Sequence, residues 1–167
     1  MKNFLEQIKG KALELDFDSI GFCEADFPEE VTKHLHEFVT KGRHGSMNWI
    51  SKTLERRSKP KNMWQSAQTA IVLGCNYGPK NNPLLSLNNR SIGNISVYAQ
   101  NKDYHKWIKG RLKNLAGWIA SKSKGQVKVF VDTAPLMEKP LAEISGIGWI
   151  GKHTNLVSRD FGSWLFL

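Results

Sequence analysis

Apolar residues recur at helical spacing in two stretches of the chain. The spacing of three and four positions predicts amphipathic helices over residues 2–15 and 103–121. Their apolar stripes consist of Leu5, Ile8, Ala12 and Leu15 and of Ile108, Leu112, Leu115 and Ile119. Shorter helices are predicted over residues 29–41, 46–57 and 136–145.

Runs of apolar and β-branched residues between these helices predict five strands. They cover residues 19–23, 69–77, 127–131, 155–158 and 163–167, and the third run is the clearest. Because helices and strands alternate without a regular repeat, we expect an α/β fold with a mixed sheet flanked by helices. The whole chain, residues 1–167, is long enough for one domain but not for two. The last predicted strand runs to the final residue, so we expect the chain to be part of a longer protein.

The chain carries a strong positive charge. Its 24 Lys and Arg residues against 15 Asp and Glu residues give a formal net charge of +9. Such a charge raises the local affinity for polyanions without selecting one of them. Nucleic acid is the first partner to consider. A solvated basic surface without a partner explains the same composition equally well.

Neither a membrane anchor nor a cysteine-based metal site is expected. The first residues lack the apolar core of a signal peptide, and no stretch approaches the roughly 20 apolar residues of a membrane span. A cytoplasmic protein follows as the default. Cys23 and Cys75 are the only cysteines and lie in apolar runs, which favours two buried, reduced thiols. Without paired cysteines, the chain cannot build a zinc ribbon or a cysteine-ligated cluster by itself.

A glycine-rich segment at residues 146–151, GIGWIG, fits the G-x-G-x-x-G dinucleotide fingerprint. That site requires a strand before it, a helix after it and an acidic residue about 20 positions further on. The segment instead follows a predicted helix and leads into a polar stretch, so a nicotinamide-type site is disfavoured. A backbone turn that allows the close approach of another group is the preferred interpretation.

Asp132 follows the clearest predicted strand, at a position where side chains commonly line a cleft. A carboxyl group buried there beside an apolar ligand would stay protonated near neutral pH and could act as a general acid. The alternative is a structural carboxylate that accepts N–H bonds at the start of a helix beginning at Pro135. Asp103 is predicted to cap the long helix, where Tyr104 and His105 could hold a nucleotide or a cofactor tail.

Five segments, taken in order, resemble the epoxyqueuosine reductases over essentially the whole chain. Residues 42–49 read GRHGSMNW, Arg57 stands three residues before Pro60, and residues 98–106 read YAQNKDYHK. Residues 131–152 read VDTAPLMEKPLAEISGIGWIGK, and Gly162, Ser163 and Trp164 follow them. Any one segment is a weak match, whereas five in the same order identify the family.

The resemblance implies a cobalamin enzyme that reduces epoxyqueuosine to queuosine at the wobble position of tRNA. Its fold would be related to reductive dehalogenases and to flavin-reductase-like cobalamin proteins. Reduced cobalt would interact with the modified base while an acid protonates oxygen as the epoxide is removed, and Asp132 matches the family's proposed proton donor. Residues at or near positions that contact cobalamin are Arg57, Tyr98, Asp132, His153 and Leu156. The glycines at residues 146–151 would let the backbone pass close to the flat corrin ring.

Two features depart from the family. His153 stands where asparagine is usual, so its contact with the cofactor is altered or it ligates cobalt. The family also carries two four-iron iron–sulfur (4Fe-4S) clusters on a following segment, whose cysteines this chain lacks. We therefore expect that the chain needs an external electron donor. We also expect a monomer. A catalytically inactive cobalamin- or RNA-binding remnant is the main alternative, and a flavin or nicotinamide reductase rests only on the glycine run and distant fold similarity.

Overall fold

The computed structural model describes residues 3–100 and 102–167, which form six α-helices and five strands. In chain order they are α1 (Phe4–Glu14), β1 (Ser19–Glu24), α2 (Glu29–Thr40), α3 (Asn48–Lys52), α4 (Leu54–Ser58), β2 (Thr69–Asn76), α5 (Tyr104–Ser123), α6 (Glu138–Ile144), β3 (Trp149–Ile150), β4 (Leu156–Val157) and β5 (Leu165–Phe166). Single 3-10 turns lie at Pro60–Asn62, Pro83–Asn88 and Val97–Ala99. The predicted alternation of helices and strands is confirmed.

Capping residues explain where the two amphipathic helices begin and where α5 ends. Asn3 caps α1 and Asp103 caps α5, each accepting a hydrogen bond from the N–H two residues on, at 3.4 Å and 3.0 Å. α5 ends before Lys124, which adopts the left-handed conformation common after helices, with φ 57°. Both helices are confirmed, although Lys2, the predicted start of the first, lies outside the described residues. No helix in the described ranges combines the length and apolar character needed to cross a membrane.

Three strands form an antiparallel sheet in the order β1-β2-β5. β1 pairs along its whole length with residues 69–74 of β2, whereas β5 pairs with the other edge of β2 only at Cys75 and Asn76. β3 and β4 form a separate antiparallel hairpin. The prediction of a mixed sheet was wrong, since every ladder among the described residues is antiparallel and the run at residues 127–131 joins none of them.

The sheet lies between two layers of apolar side chains. Alternate residues of β2 point to opposite faces, so Leu73 joins one cluster and Val72 the other. The first cluster packs α1 and α5 on the sheet through Ile8, Ala12, Phe17, Cys75, Ile108, Leu115, Ile119 and Val131. The second packs α6 and β4 through Phe27, Leu141, Ala142 and Leu156.

The two cysteines lie in β1 and β2 as free thiols. Burial raises the pKa of the Cys75 thiol to about 12 and also raises the pKa of Cys23. Such thiols stay protonated and unreactive at neutral pH. The prediction of two reduced thiols is confirmed, with Cys75 buried and Cys23 half-buried.

Three predicted elements differ from the structure. The helix over residues 46–57 divides at Thr53, whose hydroxyl donates to the Trp49 carbonyl at 2.7 Å and so competes with regular helix geometry. The strand at residues 127–131 is extended chain without a ladder, because the space between it and β2 is an open cavity. α6 begins at Glu138 rather than near Pro135.

Candidate active site

Asp132 follows the extended segment at residues 127–131 and has a left-handed backbone conformation, with φ 52°. Non-glycine residues rarely adopt this conformation, and those that do concentrate at functional sites. The carboxylate lies at the start of α5, where Oδ2 accepts a hydrogen bond from Tyr104 Oη at 2.8 Å and lies 3.6 Å from His105 Nε2. Because the Asp132 side chain is 61% exposed, a ligand can reach it directly.

His105 stands between two carboxylates. Its Nδ1 lies 2.6 Å from Asp103 Oδ1, while its Nε2 faces Asp132. Hydrogen bonds from the His105 ring and backbone N–H lower the pKa of Asp103, which therefore remains an anion and holds the proton on Nδ1. His105 Nε2 lies close to Asp132 Oδ2 but beyond hydrogen-bond distance, so the imidazole adds a polar neighbour to the carboxyl group.

Glu138, the first residue of α6, fixes the backbone of Asp132. Its Oε1 accepts the Asp132 N–H at 3.0 Å. Burial, together with the charge of Asp132, raises the pKa of Glu138 to about 7. The Asp132 carboxylate itself bonds to α5 and not to N–H groups of α6, which has no side-chain cap. The interpretation of Asp132 as a helix-capping carboxylate was therefore wrong.

Tyr104 belongs to a stack of aromatic rings that joins α5 to β5. Its ring centroid lies 3.8 Å from that of Phe166 and 4.2 Å from that of His105, and Phe166 stacks in turn on Tyr77 at 4.2 Å. Burial, followed by the hydrogen bond to Asp132 and the charge of that residue, raises the pKa of Tyr104. Its hydroxyl therefore stays protonated and serves Asp132 as a donor.

An open groove of about 1780 Å³, here named the α5 groove, borders this cluster. Aromatic residues on its walls are Tyr77, Tyr98, Tyr104, Trp107 and Phe166, and its cationic residues are Lys80, Lys102 and Lys106. Pockets for drug-sized molecules measure roughly 300–1,000 Å³, so this groove has room for a larger ligand. Tyr104 forms part of its wall and also contacts Asp132, which places the carboxylate beside the groove.

Two of the predicted cofactor residues precede α5 and lie in different surroundings. Tyr98 is 55% exposed and lines the α5 groove. Arg57 lies in α4, with its guanidinium 4.8 Å from the centre of the Trp49 ring and its Nε donating to Thr53 Oγ1 at 2.9 Å. Burial lowers the pKa of Arg57, which nevertheless remains a cation at neutral pH. The side chain of Arg57 contacts Trp49 of α3 and Thr53, the residue after α3, and not Asp132.

The other two predicted cofactor residues lie near the β3–β4 hairpin. His153 is exposed, and its Nε2 lies 3.0 Å from Ser163 Oγ. Leu156 is 6% exposed and packs in the cluster that contains Phe27 and Leu141, so its side chain is not free to meet a ligand. The structure brings neither side chain into contact with Asp132.

Packing near the β3–β4 hairpin explains Gly148 and Gly151, and a left-handed backbone with φ 81° explains Gly146. A Cβ atom on Gly148 would lie 2.2 Å from the Val157 carbonyl oxygen, and one on Gly151 would lie 2.5 Å from the His153 ring. α6 precedes the segment and the strand β3 lies within it, whereas a dinucleotide site needs a strand before the glycines and a helix after them. Local geometry accounts for these glycines without a bound ring.

Glu138 is the member of the cluster that the sequence did not indicate. It lies six positions after Asp132, and the residues between them form a loop, so neither helical nor strand periodicity relates the two side chains. The contact forms only because the loop between them folds back through the left-handed residue Asp132. The available signal was a glutamate near the start of a helix whose preceding residue, Met137, cannot cap it.

The chain is similar to known proteins along its whole length. The family model for epoxyqueuosine reductase QueG, DUF1730, matches residues 57–133. The epoxyqueuosine reductase of Leadbetterella byssophila is 38% identical across 100% of this chain and 54% of its own length, and that of Escherichia coli is 36% identical across 100% and 44%. The solved structure of the Streptococcus thermophilus epoxyqueuosine reductase superposes with a TM-score of 0.79 and 29% identity, covering 99% of this chain and 44% of that one.

The chain is homologous to the epoxyqueuosine reductases. It spans about half the length of these relatives. The segment that matches the epoxyqueuosine reductase model begins at Arg57 and includes Tyr98, Tyr104, His105 and Asp132. The region after it, which contains Glu138, His153 and Leu156, lies within the alignments to both relatives.

Proposed function

We propose that the chain provides the substrate- and cofactor-binding part of an epoxyqueuosine reductase, which converts epoxyqueuosine to queuosine in tRNA. The observation that carries this proposal is the exposed Asp132 carboxyl group, which is held by Tyr104 and lies near His105 beside a large groove. The homology over the whole chain supplies the reaction to which this geometry is applied.

Asp132 is the proton donor in this proposal. Converting an epoxide to an alkene consumes two electrons and two protons and releases water. Asp132 protonates the epoxide oxygen as its bond to carbon breaks, and solvent, which reaches the exposed Asp132 side chain, supplies the second proton needed to release water. Tyr104 orients the carboxyl group, and Glu138 holds the loop backbone in place.

Cobalamin is the cofactor that we propose for the α5 groove. The size of the groove, its aromatic walls and the exposed Tyr98 support this choice. Bound cobalamin would supply electrons to the modified base. Arg57 and His153 remain predicted contacts, whereas the Leu156 side chain is buried in the core. A relation in fold to reductive dehalogenases and to flavin-reductase-like cobalamin proteins belongs to the same proposal. The electrons would come from iron–sulfur clusters outside this chain, whose two cysteines cannot hold one.

A tRNA anticodon is the proposed substrate carrier. One solved epoxyqueuosine reductase, with a TM-score of 0.78 to this chain and 21% identity, is in complex with an epoxyqueuosine-modified tRNA stem loop. Another, from Bacillus subtilis, has an aspartate-bearing catalytic loop swung out of the active site. Asp132 lies on a comparable exposed loop, and Lys80, Lys102 and Lys106 add positive charge to the groove beside it. Because tRNA is the proposed substrate, we place the protein in the cytoplasm. We also propose that it is a monomer.

A turnover assay tests this proposal. The chain is mixed with chemically reduced cobalamin and an epoxyqueuosine-containing tRNA stem loop, and queuosine is measured by mass spectrometry. We expect slow conversion, reduced at least about 100-fold in Asp132→Asn, because asparagine keeps the contact with Tyr104 but donates no acid proton. Asp160→Asn, at an exposed carboxylate outside the cluster, is the matched control. Conversion at the parent rate by Asp132→Asn would rule out the acid role, and no conversion by the parent would favour an inactive binding module.

A further inference from the structure

Trp107 lies in the first half of α5 and forms part of the wall of the α5 groove. It is 45% exposed, and the two apolar clusters that the described residues form do not include it. Single exposed apolar side chains are common on protein surfaces, so exposure alone does not indicate a binding role. Core packing nevertheless gives no reason for a tryptophan at this position, and the way in which its ring is held becomes decisive.

Arg111 fixes the Trp107 ring from one side. The guanidinium carbon of Arg111 lies 3.6 Å from the centre of that ring. Its Nε donates to the Leu15 carbonyl at 2.9 Å, and its Nη2 donates to Asp16 Oδ2 at 2.8 Å, so the turn after α1 holds the cation in place. A cation over one face of an indole is an attractive arrangement. The exposed surface of Trp107 is therefore its other face and its edges, and the ring is ordered before any ligand binds.

The position of Trp107 relates it to Asp132. Tyr104, whose hydroxyl donates to Asp132 at 2.8 Å, stands three residues before Trp107 on the same face of α5. This separation is about 4.5 Å along the helix axis. Lys102 and Lys106 line the same groove and can contact phosphates. Aromatic surface beside cations along one groove is the arrangement with which proteins bind single-stranded nucleic acid.

We propose that Trp107 is a stacking platform for an unpaired base of the RNA substrate, next to the modified nucleotide. This inference rests on the proposed function, which brings an anticodon loop to the α5 groove. The free face of the indole stacks on the neighbouring base while the modified base meets Asp132. Because every base has an aromatic face, such stacking tolerates any sequence. Trp107 thus contributes affinity and position and does not select the base.

Fluorescence anisotropy with a labelled RNA anticodon stem loop tests this proposal. Further RNAs carry one abasic site, on either side of the wobble nucleotide. For the intact RNA, Trp107→Leu should raise the Kd about tenfold, which equals about 1.4 kcal/mol. For one of the abasic RNAs, the parent and Trp107→Leu should bind equally, because the base that stacks is missing. Trp107→Phe keeps an aromatic face, so its Kd for the intact RNA should stay within about threefold of that of the parent.

Trp149→Leu is the matched control, at a tryptophan of β3 that is 49% exposed and lies outside the α5 groove. It should bind the intact RNA as the parent does. Trp107→Leu changes no charge, so the slope of log Kd against log salt concentration should also equal that of the parent. Urea unfolding of each variant reports folding, which the half-exposed Trp107 does not support through the core.

Equal Kd values of Trp107→Leu and the parent for the intact RNA would overturn the stacking role and leave the proposed function standing. The same conclusion would follow if Trp107→Leu weakened the binding of the intact RNA and of both abasic RNAs to the same extent. An intact RNA that the parent does not bind would overturn this inference together with tRNA as the substrate. A titration with cobalamin separates the RNA base from a ring of the cofactor. Trp107→Leu should bind cobalamin as the parent does, and a Kd about tenfold higher would overturn the proposal in favour of the cofactor.

Discussion

The contacts of Asp132 depend on one backbone angle. At φ 52° the residue turns its N–H to Glu138 while its carboxylate reaches Tyr104 and His105. Aspartate and asparagine tolerate this conformation better than other residues with a side chain, because their short polar groups can bond locally. The loop is therefore suited to Asp132→Asn as a test of chemistry, since that substitution preserves the backbone preference.

The protonation of Glu138 makes stability depend on pH. Its pKa is about 7 in the folded chain and near the ordinary value of 4.5 in the unfolded chain. Between these pH values the folded state binds more protons than the unfolded state does. The stability that this proton contributes is therefore complete below about pH 4.5 and is lost as the pH rises through 7. Glu138→Gln cannot ionise at this position. We expect its free energy of unfolding to rise above that of the parent by up to about 3 kcal/mol as the pH rises from 4.5 to 7.

Urea unfolding at a series of pH values from 4 to 8 measures this effect. Glu24→Gln, at an exposed position in β1, gives the baseline for removing one carboxylate. If Glu138→Gln and Glu24→Gln show the same change in unfolding free energy with pH, the burial of Glu138 does not govern its protonation.

At the scale of elements, the β3–β4 hairpin requires close backbone contact. Gly148 lies so near the Val157 carbonyl that a Cβ atom would be 2.2 Å from its oxygen. We expect Gly148→Ala to destabilise the chain by about 1–3 kcal/mol, because the hairpin must shift to relieve the contact. Thermal or urea unfolding measures the loss.

Gly117→Ala is the matched control for this substitution. Gly117 lies inside α5 with nothing within 4 Å of an added Cβ atom. Alanine should stabilise the helix by about 0.5–1 kcal/mol there. The two substitutions are thus expected to have opposite signs, and a Gly148→Ala chain as stable as the parent would contradict the packing of the hairpin.

Elements with a local pattern were predictable from the sequence, and those that depend on distant partners were not. α1, α5, β1 and β2 follow from apolar spacing and capping residues. The segment at residues 127–131 has the same quality of pattern, yet it forms no ladder, because a strand also needs a neighbour. The sheet was expected to be mixed for the same reason, since strand order depends on contacts far apart in sequence.

The candidate site shows the same division. Asp132 and the capping Asp103 could be selected from the residue pattern, whereas Tyr98 and Leu156 were selected by resemblance alone. The structure places Tyr98 and Asp103 on the α5 groove with Asp132 beside it, but the Leu156 side chain is buried in the core. Residue type and order therefore select candidate residues, whereas their exposure depends on the packing of the whole domain.

At the scale of the whole molecule, the α5 groove combines positive charge with large, aromatic-lined walls. The chain has a net charge of +9, and three lysines lie on a groove whose aromatic walls lead to Asp132 by way of Tyr104. The chain spans about half the length of its relatives and has no cysteines for an iron–sulfur cluster. In the proposed function, binding and proton transfer therefore belong to this chain, and electron supply belongs to a partner.

A visible-absorbance titration of the chain with cobalamin tests the central claim most directly. We expect a saturable spectral shift. Because Tyr98 lines the α5 groove, Tyr98→Ala should raise the Kd about tenfold, which equals a loss of about 1.4 kcal/mol of binding free energy. Leu13→Ala, at an exposed position of α1 outside the groove, should bind as the parent does. A folded chain that gives no shift, or equal affinity in Tyr98→Ala and the parent, would contradict the assignment of the groove to cobalamin.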